Sequence, residues 1–485
     1  MDNIVGRKNE KHVLDQVLRS AEPEFLAVYG RRRVGKTFLI REFFKKADFY
    51  FEIVGLQSGA LSAQLQNFED IFYKQFQKRK DAAPLNNWNE ALKLLIAEVD
   101  KMSIKGKVIF FFDELPWLAY RKSNFLQALE YFWNSWASKN RNVVLVVCGS
   151  AASWMLNNIV HNKAGLHNRI TRRIRLLPFT LKETEDYLKT RRIHLDRKQI
   201  LEIYLAMGGV PHYLKQIEKG QSSIQNINRI CFTKEGLLTD EFDKLYQSLF
   251  ENSDIYMQVV RTLNKKRMGL TRTELLKIIR IETGGGITKV LTALEESGFI
   301  SRAIPFGQKS NKALYRLEDE YSVFYLTWIE HASKMVLNKS EHSYWLQKRS
   351  TPSWRSWSGF AFESVCQKHI DQIKTGLGIS GMSTTESGWH YKPRRKAEMG
   401  AQIDLLIDRS DNCITICEMK YSDLEFVIDK KYHRELKHKV ECFKNQTRSK
   451  KTVFLVMVTT YGVKENQYSE EVVSEDLKMD VLFQS

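Results

Sequence analysis

The sequence predicts an α/β protein with more than one domain. Apolar runs of strand length occur at residues 25–30, 108–112 and 142–150, and stretches with helical spacing separate them. Buried strands that alternate with helices are typical of parallel α/β sheets. The chain has 485 residues, whereas one domain commonly contains about 100–200 residues. We therefore expect roughly three domains.

A glycine-containing loop directly follows the first predicted strand. Residues 22–44 read EPEFLAVYGRRRVGKTFLIREFF, in which four residues separate Gly30 from the triplet Gly35-Lys36-Thr37. Strand, loop and helix come in the order of a phosphate-binding loop. Backbone N–H groups would approach the phosphates, Lys36 would supply positive charge, and the Thr37 hydroxyl would hold Mg²⁺. The predicted ATP-binding residues of this loop are Gly30, Arg31, Arg32, Arg33, Val34, Gly35, Lys36 and Thr37.

An acidic pair ends the second predicted strand. Residues 107–119 read KVIFFFDELPWLA, so that Asp113 and Glu114 follow a run of five apolar residues. The carboxyl ends of parallel strands form the edge at which α/β sheets bind ligands. We expect Asp113 to hold Mg²⁺ and Glu114 to orient and activate the attacking water. The alternative is a strand that merely ends in an acidic turn.

Two further polar features follow in this region. The strand NVVLVVCGS ends in Ser150, which is either a sensor of the γ-phosphate or a turn serine. The segment HNRITRRIRLLPFT, residues 167–180, holds Arg169, Arg172 and Arg173. One of them, with Arg169 as the candidate, could act as a finger that stabilises transition-state charge, in cis or from a neighbouring subunit. The alternative is a group of surface arginines.

These segments together resemble the archaeal-type ATPases of the AAA+/STAND branch. IVGRKNEKHVLDQVL, the phosphate loop, FFFDELPWL, VVCGS, LLPFT and MGGVPHYL occur in the order seen in that family, over about residues 1–250. The resemblance implies a P-loop ATPase core over residues 1–180 and a helical lid over 181–250. It also implies that Gly209 and Pro211 lie against the nucleotide base. The residues alone predict only a helix end there.

Residues 251–335 resemble a winged helix. Segments 269–279 and 287–300 have helical spacing, and a hairpin-like segment follows. Thr271 and Thr283 are the predicted helix caps. Such a module binds a DNA groove or serves as a structural lid or protein contact, and the scarcity of basic residues on the second helix favours the structural role. The polar stretch 336–358 is expected to be a linker.

Residues 359–485 have a further order of predicted elements. We predict an amphipathic helix at 359–373, strands around 388–392, 401–409 and 413–423, a charged helix at 430–446 and a strand at 452–460. This order of helix, three strands, helix and strand resembles the core of the PD-(D/E)xK nucleases. The resemblance is to the restriction-endonuclease-like domain found at the C-terminus of the same ATPase family.

Four residues of this region form the candidate nuclease site. Glu418 and Lys420 are two positions apart on one strand and so share a face, while Asp404 would meet them from the neighbouring strand. The carboxylates of Asp404 and Glu418 could hold Mg²⁺ or Mn²⁺, and Lys420 could stabilise charge on an attacked phosphate. Glu363 would complete or tune the metal site. The alternative is the charge alternation of a solvated strand face.

The composition of the chain indicates which classes of binding partner to expect. The 75 Lys and Arg residues exceed the 57 Asp and Glu residues, which gives a formal net charge of +18 that attracts polyanions. Nucleic acid is the predicted partner, with DNA favoured over RNA. The alternative is a solvated basic surface that binds nothing specific. We find no apolar run of about 18 or more residues, and MDNIVGRKNE carries no signal core, so we expect a cytoplasmic protein with no membrane partner. The six cysteines are interpreted as buried thiols.

Two functional hypotheses remain at this point. In the first, ATP binding and hydrolysis regulate or assemble a Mg²⁺-dependent nuclease that cuts nucleic acid phosphodiesters. In the second, the chain is a nucleotide-controlled signalling or scaffold ATPase, able to form a homo-oligomer, whose C-terminal domain only binds nucleic acid or protein. A metal titration with single- and double-stranded substrates separates the two hypotheses.

Overall fold

The computed structural model describes residues 3–78, 80, 83–160, 166, 168–280, 285–332, 344–393 and 399–484. Thr283 and residues 336–343 of the predicted linker therefore lie outside the described residues. The chain divides into two compact units. The first comprises Met1–Pro178, Ser248–Glu251 and Thr292–Gly298, and the second comprises Phe179–Gln247, Asn252–Leu291 and Phe299–Ser485.

The first unit contains a parallel five-stranded sheet with the strand order β2-β3-β4-β1-β5. Every residue of β1, β3 and β4 is buried, as expected for strands covered on both faces. Alternate residues supply two cores, with Phe25 and Ala27 on one side and Leu26 and Val28 on the other. The strands are β1 Glu24–Tyr29, β2 Phe49–Val54, β3 Val108–Asp113, β4 Val143–Gly149 and β5 Arg172–Arg175.

Helices cover both faces of this sheet. One core cluster contains residues of five of these helices, among them Phe68, Trp88 and Phe132. The other contains Leu14 and Leu39. The α-helices are Lys8–Arg19, Lys36–Phe44, Leu61–Gln75, Trp88–Val99, Leu115–Leu118, Phe125–Ser135 and Ala152–Met155, with a 3-10 turn at Ala137–Lys139 and a π turn at Leu156–Val160.

The second unit contains two sheets. The smaller is antiparallel, with the order β6-β8-β7, and the larger is mixed, with the order β13-β12-β11-β10-β9. In the larger sheet β9, β10 and β11 are antiparallel neighbours, whereas β12 and β13 continue parallel to β11. The strands are β6 Leu270–Thr271, β7 Ile300–Ala303, β8 Leu314–Leu317, β9 Thr384–Tyr391, β10 Ala401–Arg409, β11 Cys413–Lys420, β12 Thr452–Thr459 and β13 Glu475–Lys478.

Most helices of the second unit precede its larger sheet. Two helices, Glu241–Leu249 and Gly285–Glu296, include residues of both units. The others are Leu181–Thr190, Arg197–Met207, Pro211–Leu214, Ser223–Cys231, Ser253–Asn264, Arg272–Ile279, Glu320–Phe324, Tyr344–Arg349, Pro352–Lys368, Ile370–Gly376, Lys430–Thr447 and Gln467–Val472, with a π turn at Tyr325–Ile329 and 3-10 turns at Ser310–Lys312 and Met479–Phe483.

The predicted elements can be compared with the observed ones. The parallel α/β sheet, its three apolar strands and the helix after the glycine loop are confirmed. Thr271 caps its helix in a reciprocal arrangement with Glu274. The helix predicted at 359–373 instead begins at Pro352, within the stretch expected to be a linker, and ends at Lys368. All six cysteines are free thiols, and five of them are buried.

Candidate functional site

The glycine loop of the first unit has a backbone that few residues other than glycine tolerate. Gly30 has φ of 144° and Gly35 has φ of 93°, both in the left-handed region. A Cβ atom added at Gly30 would lie 2.2 Å from the Leu176 carbonyl oxygen. Arg33 also has a positive φ, of 70°. Positive φ values among residues of ordinary φ turn backbone N–H groups toward one concave side of the loop, which suits an anion.

Lys36 begins the helix that follows the loop. Its side chain is buried, and Nζ donates hydrogen bonds of 2.9 Å each to the carbonyl oxygens of Gly30 and Arg31. Two neutral acceptors leave the ammonium charge uncompensated at the N-terminal end of a helix. Because the helix dipole is also positive there, the site favours a negatively charged ligand.

Thr37 and Asp113 meet across the sheet edge. The Thr37 hydroxyl donates a 2.6 Å hydrogen bond to Asp113 Oδ2, while Oδ1 accepts one of 2.9 Å from the backbone N–H of Glu114. Strand β4 lies between the strands that lead to these two residues, so all three strand ends share this edge. A hydroxyl and a carboxylate oxygen in contact are oxygen donors of the kind that Mg²⁺ selects, so these residues fit that ion.

Glu114 and Ser150 form a second pair at the same edge. The Ser150 hydroxyl and backbone N–H both donate to the Glu114 carboxylate, the latter at 3.3 Å. Glu114 has φ of 47°, a conformation that is sparse for residues with side chains and that concentrates at functional sites. Arg32 lies over the Trp117 ring, 5.5 Å from its centre, beside this acidic turn. The structure therefore groups the predicted catalytic and sensor residues around the loop.

For two of the predicted ATP-site residues, Arg169 and Pro211, the contacts described within each unit do not include the glycine loop. Arg169 is exposed, and its backbone N–H donates to the Leu166 carbonyl in a turn. Its finger role remains a prediction. Pro211 begins a short helix of the second unit, where a Cβ added at the neighbouring Gly209 would lie 1.9 Å from the Phe179 carbonyl oxygen. Its contact with the nucleotide base also remains a prediction.

The larger sheet of the second unit positions the other candidate residues. Leu405 pairs with Cys417, so Asp404 and Glu418 come next on the adjacent strands β10 and β11. The pairing of β10 with β9 changes register between Ile403 and Leu406, which places Asp404 in a β-bulge. Bulges often lie next to active sites because they redirect a side chain.

Glu418 is enclosed by three hydrogen-bond donors. Its Oε1 accepts from the Tyr432 hydroxyl at 2.6 Å and lies 2.9 Å from Lys420 Nζ, and its Oε2 accepts from Lys439 Nζ at 2.7 Å. Burial acts to raise the pKa of Glu418, but the two ammonium groups and the hydroxyl outweigh burial and lower that pKa to about 2. Glu418 is therefore a firmly ionised carboxylate that neutralises lysine charge.

Glu363 and Asp404 form a different pair. Both side chains are half-buried and line one cavity of the second unit. Burial, and next the Asp404 charge, raise the pKa of Glu363 to about 8, although Lys420 opposes them. Gln402 donates a 2.5 Å hydrogen bond to Asp404 Oδ1. A bound cation would relieve the repulsion between these two carboxylates.

These carboxylates fit a divalent cation in part. Mg²⁺ commonly takes one or two carboxylates and keeps several waters, a requirement that Glu363 and Asp404 meet. Across the described residues no group of three or more His, Cys, Asp or Glu side chains is arranged to hold a metal ion. Both Glu418 oxygens already face donors, so in this arrangement its carboxylate is not a third ligand. Its predicted metal role remains a prediction.

Residues 4–217 match the model of an ATPase domain that is predominantly from Archaea. This chain carries an archaeal-type ATPase domain. It is also similar to an uncharacterized protein of Methanocaldococcus jannaschii, with 23% identity over 452 residues that cover 90% of this chain and 91% of that protein.

Solved structures give further likenesses. The Walker-type ATPase of Pyrococcus abyssi is 15% identical with a TM-score of 0.47, over 67% of this chain and 96% of that one. Cdc6p from Pyrobaculum aerophilum is 14% identical with a TM-score of 0.34, over 68% of this chain and 97% of that one.

In the described part of the chain, no helix combines the length and apolar character needed to cross a membrane.

Sequence reasoning missed several residues beside the acidic site. Tyr432 and Lys439 are seven positions apart on the helix Lys430–Thr447, which places both on one face, two turns apart. That helix also carries other lysines at similar intervals, so spacing alone could not select Lys439. Gln402 precedes Asp404 by two positions, and that spacing on a strand was an available signal.

Proposed function

We propose that the archaeal-type ATPase domain uses ATP and Mg²⁺ to control a metal-dependent phosphodiesterase site in the C-terminal region. In this proposal the first 180 residues form an AAA+/STAND-type core, 181–250 the lid, 251–335 a winged helix, 336–358 a linker and 359–485 a nuclease-like domain. The observation that carries the second activity is the pair Glu363 and Asp404 in one cavity. Glu363 on the helix Pro352–Lys368 and Asp404 on β10 both interact electrostatically with Lys420 of β11. The proposal is supported by an element order that resembles the PD-(D/E)xK core.

The ATPase step follows from the loop geometry. Lys36 would exchange its two carbonyl acceptors for phosphate oxygens, which are better partners for a buried ammonium group. Thr37 and Asp113 would hold Mg²⁺, which supplies charge neutralisation on the phosphates. Glu114 would orient the attacking water once its carboxylate is released from Ser150. Ser150 therefore couples the phosphate site to the position of the catalytic carboxylate.

The phosphodiesterase step follows from the acidic pair. Glu363 and Asp404 would hold a divalent cation, which polarises the phosphate and favours the hydroxide form of water. The Asp404 carboxylate is oriented by Gln402, and its position in a bulge turns it out of the regular strand pairing. Lys420, held by Glu418, would stabilise the negative charge that develops on the attacked phosphate. The net charge of +18 favours a nucleic acid substrate.

One observation favours the second hypothesis, a C-terminal region that binds without cutting. The carboxylate of Glu418 is neutralised by two lysines, and the described residues hold no three-ligand metal cluster. A basic surface with an inactive centre would still attract nucleic acid or an acidic protein. Nucleotide-controlled assembly of a homo-oligomer would then be the output of the ATPase domain.

Cleavage of labelled DNA and RNA, single- and double-stranded, separates these functions. The purified chain is incubated with each substrate in Mg²⁺, in Mn²⁺ and in EDTA. We expect metal-dependent cleavage, with DNA preferred, and its loss in Asp404→Asn. The control Asp371→Asn changes an exposed aspartate of the next helix and should cleave like the wild type. Binding without cleavage in any metal would instead support the second hypothesis.

A further inference from the structure

The cavity that contains the acidic pair has a second wall with opposite charge. It has a volume of about 70 Å³ and lies entirely within the second unit. One wall comes from the helix Pro352–Lys368 and strand β10, and the other from residues 263–268 and strand β8. Since one water needs roughly 10–15 Å³ of such space, a group of several heavy atoms fits.

Arg267 lies on this second wall. Its guanidinium carbon lies 4.5 Å from the centre of the Phe360 ring, a contact that restricts the position of the charge. Arg267 is exposed, and it interacts electrostatically with Glu363 across the cavity. Among the residues that the structure describes, no carboxylate lies within salt-bridge distance of this guanidinium group. Its hydrogen-bond donors are therefore open to an anionic ligand.

Arg316 lies beside Arg267 on strand β8. Its Nε donates to the Met268 carbonyl at 3.1 Å and its Nη1 to Gln367 Oε1 at 3.4 Å. Gln367 in turn donates to the Asp404 carbonyl oxygen at 3.1 Å. This chain of contacts fixes the guanidinium group relative to the strand that carries Asp404. The Nη2 group has no hydrogen bond to any of the described residues.

The charges of the cavity fit a phosphate and a cation together. Glu318, Glu363 and Asp404 line it together with Arg267 and Arg316. Once a bound cation keeps Glu363 ionised, the carboxylates exceed the guanidinium groups by one. A divalent cation and one phosphodiester together bring one net positive charge, which balances this excess. A planar guanidinium group matches two phosphate oxygens, unlike the point charge of a lysine.

We propose that Arg267 and Arg316 bind a backbone phosphate of the nucleic acid, opposite the acidic pair. The inference rests on the proposed function, because it takes nucleic acid as the ligand. It adds that residues outside the 359–485 region complete the site. Both arginines belong to the stretch proposed as a winged helix, whose role would then be to hold the substrate rather than to read a DNA groove.

The phosphate site is tested by measuring nucleic acid binding in EDTA, which removes the divalent cation that cleavage would need. Fluorescence anisotropy of a labelled oligonucleotide is measured for the wild type, Arg267→Met, Arg316→Met and the control Arg302→Met, over a series of KCl concentrations. Arg302 is an exposed arginine on β7 that does not line the cavity. We expect each cavity variant to raise Kd on the order of 10-fold and to lower the salt slope by about 1. Arg267→Lys should recover the salt slope but only part of the affinity.

The outcomes separate the two proposals. Kd values and salt slopes equal to those of Arg302→Met would overturn the phosphate site, even if the wild type cleaves DNA. Arginine-dependent binding by a wild type that cleaves nothing in Mg²⁺ or Mn²⁺ would keep the phosphate site and overturn the phosphodiesterase. No binding by the wild type in EDTA would overturn the phosphate site, and the cleavage assay in Mg²⁺ and Mn²⁺ would then decide the phosphodiesterase. Circular dichroism checks that each variant is folded. If Arg267→Met does not fold, Arg267→Lys still tests the role of Arg267.

Discussion

The glycine loop of the first unit and the acidic site of the second hold their lysines in opposite ways. Lys36 donates to two neutral backbone carbonyls, whereas Lys420 and Lys439 are paired with the buried carboxylate of Glu418. The loop therefore keeps an uncompensated positive charge for an anion. The second site instead pairs its two lysines with one carboxylate, and Glu363 and Asp404 form an acidic pair near them. The first arrangement suits an anion and the second suits a cation.

Removal of the loop lysine should give the largest effect. Lys36→Ala removes the charge that would meet the outer phosphates, so we expect ATP turnover to fall by roughly 100- to 1,000-fold. The free energy of unfolding should change little, because no carboxylate of the described residues forms an ion pair with Lys36 that would be left broken. A coupled phosphate-release assay measures turnover, and urea unfolding measures stability. Wild-type turnover in this variant would show that the loop is not the ATP site.

The acidic site should respond in the reverse manner. Glu418→Gln leaves Lys420 and Lys439 without their shared anion, so we expect a loss of about 3 kcal/mol in the free energy of unfolding. ATP turnover should stay within twofold of the wild-type rate. The control Glu425→Gln changes an exposed carboxylate five positions after Lys420 and should cost nothing measurable. If Glu418→Gln and Glu425→Gln were equally stable, the ion pairs of Glu418 would not stabilise the fold, and the acidic site would not differ from the glycine loop in this respect.

The smaller expected effect is a pH dependence specific to the second unit. Burial lowers the pKa of His369 to about 4, although the Val365 carbonyl opposes this. The neutral ring accepts from the Leu181 backbone N–H at Nε2 and contacts the Val365 carbonyl at Nδ1, which must then carry the proton. In the unfolded chain His369 would titrate near 6.5. As the pH falls, His369 therefore binds a proton at a lower pH in the folded state than in the unfolded chain.

Its contribution to stability is therefore present above pH 6.5 and is lost as the pH falls from 6.5 toward 4. We expect a loss of about 2 kcal/mol between pH 8 and pH 5, measured by urea unfolding with tryptophan fluorescence. His369→Gln should flatten this part of the profile. His390→Gln, at an exposed histidine, should leave the profile unchanged. The same profile in both variants would show that His369 does not carry the dependence.

The two regions also differed in how far the sequence could describe them. The loop was predictable because glycine spacing, one lysine and one threonine encode it within eight residues, and because parallel strands bring Asp113 to the same edge. The acidic site draws on a helix, two strands and residues 263–268, so no short pattern contains it. Arg267 and Arg316 lie outside the predicted nuclease region, and no local signal marked them.

Smaller errors had local causes. Strand β9 begins at Thr384, four residues before the predicted start, since its early residues are polar and carry no apolar signal. Strand β13, Glu475–Lys478, was missed because it is a short, charged edge strand that pairs with β12 through its backbone.

The most direct test of the account compares ATP turnover and nucleic acid cleavage in Asp404→Asn and the wild type. Both activities are measured in one reaction that contains ATP, labelled DNA and Mn²⁺. We expect the wild type to perform both activities and Asp404→Asn to hydrolyse ATP at the wild-type rate but leave the DNA intact. Cleavage at an equal rate by both proteins, or the absence of cleavage by the wild type, would contradict it.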